Sequence, residues 1–228
     1  MTKIFIIILS IALIISSFFL GPKASKLYKL SKLYDEKRIA NNFINIDKLF
    51  AVSEPIPSAE IPYIFNTKYF ELPKTYFFED KEQDLASALE HFKTDGLIVL
   101  HQGDMLYENY WNNNSVNSKH IAFSVSKSFL SALIGIAVHD GLIDSIEDPI
   151  TKYLPDFNGT GYEGVSIKNI LQMSSGVEFN EDYADPQSDI NKFGRAVAKG
   201  TSFRDFSKTL KQSREPGTYH HYVSIDTQ

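Results

Sequence analysis

The sequence predicts a mixed α/β (α+β) protein, a sandwich of helices against a hairpin-built antiparallel sheet. Three stretches carry this. GLIVLHQGDMLYENYW, residues 96–111, reads as strand 96–101, a turn at Gln102-Gly103-Asp104 and strand 105–111. EQDLASALEHFK, residues 82–93, puts Leu85, Leu89 and Phe92 at helical spacing before the hairpin. AFSVSKSFLSALIGIAVHDG, residues 122–141, reads as one long apolar helix after it. Helices on both sides of a hairpin bury their apolar stripes against it, which is the layered solution.

At the start of the chain, Ile4–Leu20 is an uncharged run after Lys3. As a helix it would span about 25 Å, close to a hydrocarbon core of roughly 30 Å. The small-x-small pattern of a cleavage site is poor around Gly21-Pro22-Lys23-Ala24, so residues 1–22 read as an uncleaved signal anchor, a transmembrane helix, with a cleaved signal peptide the close alternative. Residues 21–40 then carry six basic against two acidic residues. Within KASKLYKLSKLY, Leu27, Leu30 and Tyr34 share one helical face, as in a helix lying along lipid headgroups. Pro55, Pro57, Pro62 and Pro73 make the rest of 41–75 an extended lead-in without helical period. The expected organisation is therefore 1–22 anchor, 23–75 basic juxtamembrane helix and lead-in, and 76–228 the main body. An exported, extracytoplasmic (periplasmic) body held to the membrane is the expectation, although the lysines after the span argue for the cytoplasmic side by the positive-inside rule.

Beyond the hairpin, Asn112-Asn113-Asn114-Ser115 is a loop. Leu130, Leu133, Ile134, Ile136, Ala137 and Val138 cover most of the next helix, which predicts a central, buried one ended by Gly141. Ser166 is an N-cap for a short helix with Ile167, Ile170 and Leu171. Ser202 and Asp205 form a capping pattern for a helix over 203–212. Pro216-Gly217 is a turn.

Composition narrows function. Residues 41–228 hold 16 basic and 26 acidic residues, which argues against nucleic acid as a partner. There is no cysteine, which removes disulfides and thiolate-bound metal. His220-His221 near Asp226 is a weak metal pattern, because adjacent histidines on a strand face opposite ways. No metal and no cofactor is expected. Neither Gly-x-Ser-x-Gly nor a phosphate-cradling glycine loop occurs.

The long helix poses a question. Lys127 is the only charge between Ser124 and His139, on a helix otherwise built for burial. Ser124 and Lys127 are three apart, hence on one face at the helix start, where backbone N–H groups favour negative charge. A serine hydroxyl is a poor nucleophile until a base takes its proton, and an amine in apolar surroundings can be or tune that base. The competing reading makes Ser124 an N-cap and Lys127 a snorkelling surface lysine. Tyr222-Val223-Ser224, after the Pro-Gly turn, offers a phenol as second proton carrier. Tyr107-Glu108-Asn109 and Tyr110-Trp111-Asn112 on the hairpin fit the same short pattern, and an ordinary core or rim tyrosine is the competing reading for all three.

Together these residues resemble the serine β-lactamase and penicillin-binding protein superfamily, whose first motif is Ser-x-x-Lys on a central helix. Ser124-Val-Ser-Lys127 matches that motif, and Tyr222-Val-Ser224 matches the second as in the class C β-lactamase and esterase branch. DGLIDSIEDPITKYLPDF (140–157), VSIKNILQMSSGVEF (165–179) and PGTYHHYVSIDTQ fit the family's connecting text in order. NIDKLFAVSEPIPS (45–58) and FNEDYADPQSD (179–189) look closest to the 6-aminohexanoate-dimer hydrolase-like branch. The resemblance implies a β-lactamase/transpeptidase-like sandwich and a serine hydrolase of small esters or amides, with residues 76–228 the N-terminal part of that domain. It implies that Ser124 carries the acyl group, that Lys127 and Tyr222 move its proton, that Ser224 hydrogen-bonds at the substrate site or helps relay protons, and that Tyr183 touches substrate. A D-Ala-D-Ala peptidase or β-lactamase, or a non-catalytic ligand-binding remnant of the fold, is the alternative. The third motif of the family, a Lys- or His-containing strand followed by Gly, is not found before Gln228, so the chain reads as truncated at its C-terminus.

Overall fold

A computed structural model describes residues 21, 25, 28, 29, 31–48, 55–57 and 59–227. The chain divides into two compact units, residues 1–121 and 122–228. The expected membrane helix at 1–22 lies outside the described residues except for Gly21, and among the described residues no helix is long and apolar enough to cross a membrane.

The first unit is built on the hairpin. Strand β4 (Gly96–His101) pairs antiparallel with β5 (Asp104–Tyr110), with a register shift between Val99 and Leu100. Gln102 and Gly103 both have positive φ, +50° and +84°, the two-residue turn whose twist matches its strands. A short strand, β1 (Asn66–Thr67), runs parallel to β5, giving the order β1-β5-β4. A second hairpin joins β2 (Thr75–Phe78) to β3 (Lys81–Asp84) through Glu79 and Asp80, also at positive φ.

Two expectations are corrected here. Residues 82–84 belong to β3, not to a helix over 82–93. Asp84 is the true N-cap, its carboxylate accepting from Ser87 N–H (2.7 Å), so helix α2 runs only over Leu85–His91. The lead-in is not wholly extended either. Helix α1 (Ile39–Phe43) and a 3-10 turn (Ile46–Lys48) precede its proline-bearing part, and Phe43 packs edge-on against Tyr34 and His120. Backbone hydrogen bonding and aromatic packing hold this stretch where the sequence offers no amphipathic period.

The second unit opens on a 3-10 turn (Phe123–Val125) leading into helix α3 (Ser126–His139), which Gly141 closes at φ +72°. The helix was expected to be buried, and none of its residues is. Phe129, Leu133 and Ile136 are 68%, 60% and 56% exposed, while Leu130, Ile134, Ala137 and Val138 are half-buried. The apolar residues encircle the helix, but among the described residues packing engages only part of its circumference. Helix α4 (Ile167–Leu171) has its expected cap, Ser166 Oγ accepting from Asn169 N–H at 3.1 Å.

Helix α5 (Asp189–Ala198) is capped by Ser188, and α6 (Phe203–Ser207) by Ser202. Helix α6 ends well short of the expected residue 212. The carbonyls of Leu210 and Lys211 accept instead from Gly161 and Glu178 N–H, so tertiary partners replace helical ones.

Two apolar clusters hold the unit. Phe157, Tyr162, Val165, Ile170 and Val177 form one, and Phe179, Val223 and Ile225 the other, with Leu210 packed on both. The tight crossing of the chain at Ser174-Ser175-Gly176 needs glycine. Gly176 has φ +77°, and a Cβ there would sit 2.2 Å from Arg214 O.

Candidate active site

The Ser124 turn is locally strained. Phe123, the residue before it, has φ +42°, a costly conformation for a side-chain-bearing residue. Ser126 Oγ donates to Phe123 O (2.6 Å), tying that peptide to the first turn of α3. The result is an exposed serine on a 3-10 turn feeding straight into a helix. Lys127 follows as the second residue of α3 and is half-buried. Among the described residues no carboxylate pairs with it.

Tyr222 arrives from the far end of the sequence. Gly217 N–H donates to Ser174 O and His221 N–H to Met173 O, both at 2.8 Å, which fastens the incoming strand-like segment. Val223 (1% exposed) and Ile225 (2%) sink into the second apolar cluster. The alternation leaves Tyr222 exposed and Ser224 half-buried. Tyr222 Oη then donates to Ser124 Oγ at 2.8 Å, across 98 residues of sequence. Lys127 Nζ lies 5.8 Å from the centroid of the same ring. The three residues expected to act together are thus in one place.

Ser224 and Tyr183 form a neighbouring group around a residue that the sequence reading missed, Glu181. Its Oε2 accepts from Ser224 N–H (2.6 Å), and its Oε1 accepts from Ser224 Oγ (2.5 Å) and Tyr183 Oη (2.9 Å). No local pattern points to Glu181, because its Ser224 contacts are 43 residues away in sequence.

Below the segment lies a buried polar anchor. Asp226 Oδ1 accepts from Tyr162 Oη (3.0 Å) and Ser175 Oγ (2.9 Å). Its Oδ2 is buried without a hydrogen-bond partner among the described residues. Burial raises the Asp226 carboxyl from its ordinary 3.8 to about 6, against the downward pull of Ser175, Tyr162 and His221. Burial, with the charge of Asp226 beside it, also lifts the Tyr162 phenol far above the usual range.

Tyr107 and Tyr110 both lie on β5, in the first unit. The Tyr110 phenol is pushed up to about 12, chiefly by its hydrogen bond to Glu108 (2.6 Å) and then by burial. A cavity of 710 Å³ in the first unit, bordered by Leu72, Leu85, Leu89, Tyr107 and Trp111, holds none of the expected site residues. Among the described residues no group of three His, Cys, Asp or Glu is arranged to hold a metal ion.

A mixed α/β fold with a serine at a helix start and a lysine one turn on defines a class of protein, and comparison with known proteins specifies it. Residues 82–226 match the Beta-lactamase family, and the chain belongs to it. It is 34% identical over 151 residues to a 6-aminohexanoate-dimer hydrolase from Paenarthrobacter ureafaciens, a match spanning 63% of this chain and 38% of that protein. Its fold is similar to that of a putative 6-aminohexanoate-dimer hydrolase from Bacillus anthracis, with a TM-score of 0.73 at 19% identity. That likeness covers 86% of this chain and 54% of the other, so the chain spans about half the length, or less, of the relatives it matches.

Proposed function

We propose that this chain carries the nucleophile and proton-transfer groups of a serine hydrolase acting on small esters or amides. The observation that carries the reading is the 2.8 Å approach of Tyr222 Oη to Ser124 Oγ, with Lys127 Nζ against the same ring. A surface N-cap serine and a snorkelling lysine need no phenol brought from 98 residues away. The 34% identity to a 6-aminohexanoate-dimer hydrolase favours a linear amide or its ester counterpart over a strained lactam.

In this reading the Lys127–Tyr222 pair takes the Ser124 proton, through Tyr222 Oη at its contact with Ser124 Oγ. Ser124 Oγ attacks the carbonyl carbon. The tetrahedral adduct collapses to an acyl-enzyme as the leaving amine or alcohol takes the proton back from Tyr222. Water then attacks the ester carbonyl and gives a proton to Tyr222; the bond to Ser124 Oγ breaks, Oγ takes that proton back from Tyr222, and the acid is released. The Ser124 backbone N–H, at a helix start, is one donor for the developing oxyanion. The uncharged run Ile4–Leu20 supports a tether to the membrane, and protease access to a tag after Gln228 in intact cells would test the expected extracytoplasmic placement of the body against the cytoplasmic one that the following lysines favour.

The test is hydrolysis of a p-nitrophenyl ester, with mass spectrometry for an acyl adduct. Ser124→Ala is expected to abolish turnover, and Tyr222→Phe and Lys127→Ala to lower it by about a hundredfold or more. Full turnover in Ser124→Ala would refute the site. A stable adduct on Ser124 without turnover would instead indicate a ligand-binding protein of the same fold.

A further inference from the structure

The carboxylate of Glu181 touches both residues expected to meet substrate, and its chemistry constrains what each can do. We infer that Glu181 is a positioning residue of this site: it makes Ser224 Oγ a hydrogen-bond acceptor toward the reacting groups and seats the Tyr183 phenol. The inference rests on the hydrolase reading above.

A serine hydroxyl has one proton to give and two lone pairs. Ser224 Oγ donates to Glu181 Oε1 at 2.5 Å, and Ser224 N–H donates to Oε2 at 2.6 Å. Both are short, charge-assisted bonds, and together they clamp the residue through backbone and side chain at once. With its proton engaged, Ser224 Oγ can offer only lone pairs to any further neighbour. It can accept from an ammonium or from an amide N–H of a substrate, and it cannot pass a proton to Tyr222. Tyr183 Oη likewise donates to Oε1, at 2.9 Å. Its ring is 67% exposed, so the residue presents an aromatic wall held by its hydroxyl end.

Glu181 is itself held in place. Asn180 Oδ1 accepts from Asp182 N–H (2.9 Å), and Asn191 Nδ2, on α5, donates to the carbonyls of Tyr183 (3.2 Å) and Asp185 (2.9 Å). The turn bearing Glu181 and Tyr183 is thereby tied to a helix. Among the described residues no lysine, arginine or histidine pairs with Glu181, although eleven ion pairs occur among those residues. The described hydrogen bonds to its carboxylate come from Ser224 and Tyr183 alone. A glutamine has the same shape, but its amide nitrogen cannot accept from Ser224 N–H while its oxygen serves the two hydroxyls.

The experiment is a double-mutant cycle on the full 228-residue chain, with Glu181→Gln, Ser224→Ala and the pair, read as kcat and KM on a p-nitrophenyl ester and the matching p-nitroanilide. Glu181→Gln is expected to lower kcat/KM about tenfold, roughly the worth of one hydrogen bond to a charged group. The loss should be larger on the anilide, which carries the N–H that Ser224 would accept. The double variant should be no worse than Ser224→Ala alone, and Tyr183→Phe should raise KM with little change in kcat. Losses that multiply in the double variant, or a fully active Glu181→Gln, would overturn the inference.

Ser124→Ala is the control that separates this from the hydrolase reading. If it turns over like the wild type, that reading fails by itself. Should the wild type show no turnover, the Ser224 amide proton in an ¹⁵N-labelled sample still decides. It is expected well downfield and to move upfield in Glu181→Gln, and an unmoved resonance overturns the inference whatever the activity.

Discussion

Asp226→Asn tests the anchor beneath the candidate site. Asp226 is 7% exposed, its Oδ1 accepts two hydrogen bonds, and its Oδ2 has no partner among the described residues. Its carboxyl is raised from 3.8 to about 6, mostly by burial. For an acid raised by folding, the stabilising contribution is complete below the unfolded value and is lost as pH rises through the folded one. The window is therefore pH 4 to pH 6, and the loss on ionisation is about 3 kcal/mol. Asparagine keeps an oxygen for Tyr162 and Ser175 and cannot ionise. At pH 4 its unpartnered N–H resembles the unpartnered O–H of the protonated acid, so variant and wild type should unfold alike. At pH 8 the variant should be the more stable by up to about 3 kcal/mol. The assay is urea unfolding followed by far-ultraviolet circular dichroism at pH 4, 6 and 8. Subtracting variant from wild type cancels carboxylates of opposite sign, such as Asp156, held low chiefly by Arg204. A stability difference that is the same at pH 4 and pH 8 would refute the reasoning.

Tyr162→Phe removes one of the two donors to Asp226, so it should destabilise more at pH 8, where the charge needs that bond, than at pH 4; the same urea series checks this. Gly176→Ala meets both a positive φ and the Arg214 carbonyl at 2.2 Å, and should cost more than about 2 kcal/mol in the same unfolding assay. Ser166→Ala removes the cap on α4 and should cost about 1 kcal/mol, with faster amide exchange at Asn169.

Which of these features the sequence disclosed follows from the range of the forces involved. The β4–β5 hairpin, the caps at Ser166 and Ser202 and the stop at Gly141 are set by neighbours a few residues apart, and each was legible. Asp84 shows the limit of such signals. It caps α2 where a longer helix was read, because strand pairing of residues 81–84 with 75–78 competes with helical periodicity. The shortening of α6 has the same origin, since Gly161 and Glu178 claim carbonyls that a helix would have used. The exposure of α3 was not legible at all. Apolar residues around a helix say what it can bury, and only the packed neighbours decide what it does bury.

The candidate site divides along the same line. Ser124 and Lys127 are three residues apart, and their placement follows from one turn of chain. Tyr222 is legible for a different reason: it opens a Tyr-x-Ser pattern after the Pro216-Gly217 turn that resembles the family's second motif. Its identity was therefore readable, but its distance was not. The 2.8 Å contact depends on the Ser174 and Met173 carbonyls that fasten the segment, and no spacing in the sequence encodes them. Glu181 had neither advantage. It is one acid among 28, and nothing beside it in the sequence distinguishes it from a solvated charge. What distinguishes it is that its carboxylate takes hydrogen bonds from Ser224 and Tyr183 while pairing with no described cation. A carboxylate placed for general solubility faces water, whereas one engaged by a serine's amide and hydroxyl together fixes that serine's proton. The family pattern marks Ser224 as part of the second motif. The Glu181 contact sets which way Ser224's hydrogen bond runs, and with it what the serine can offer a substrate.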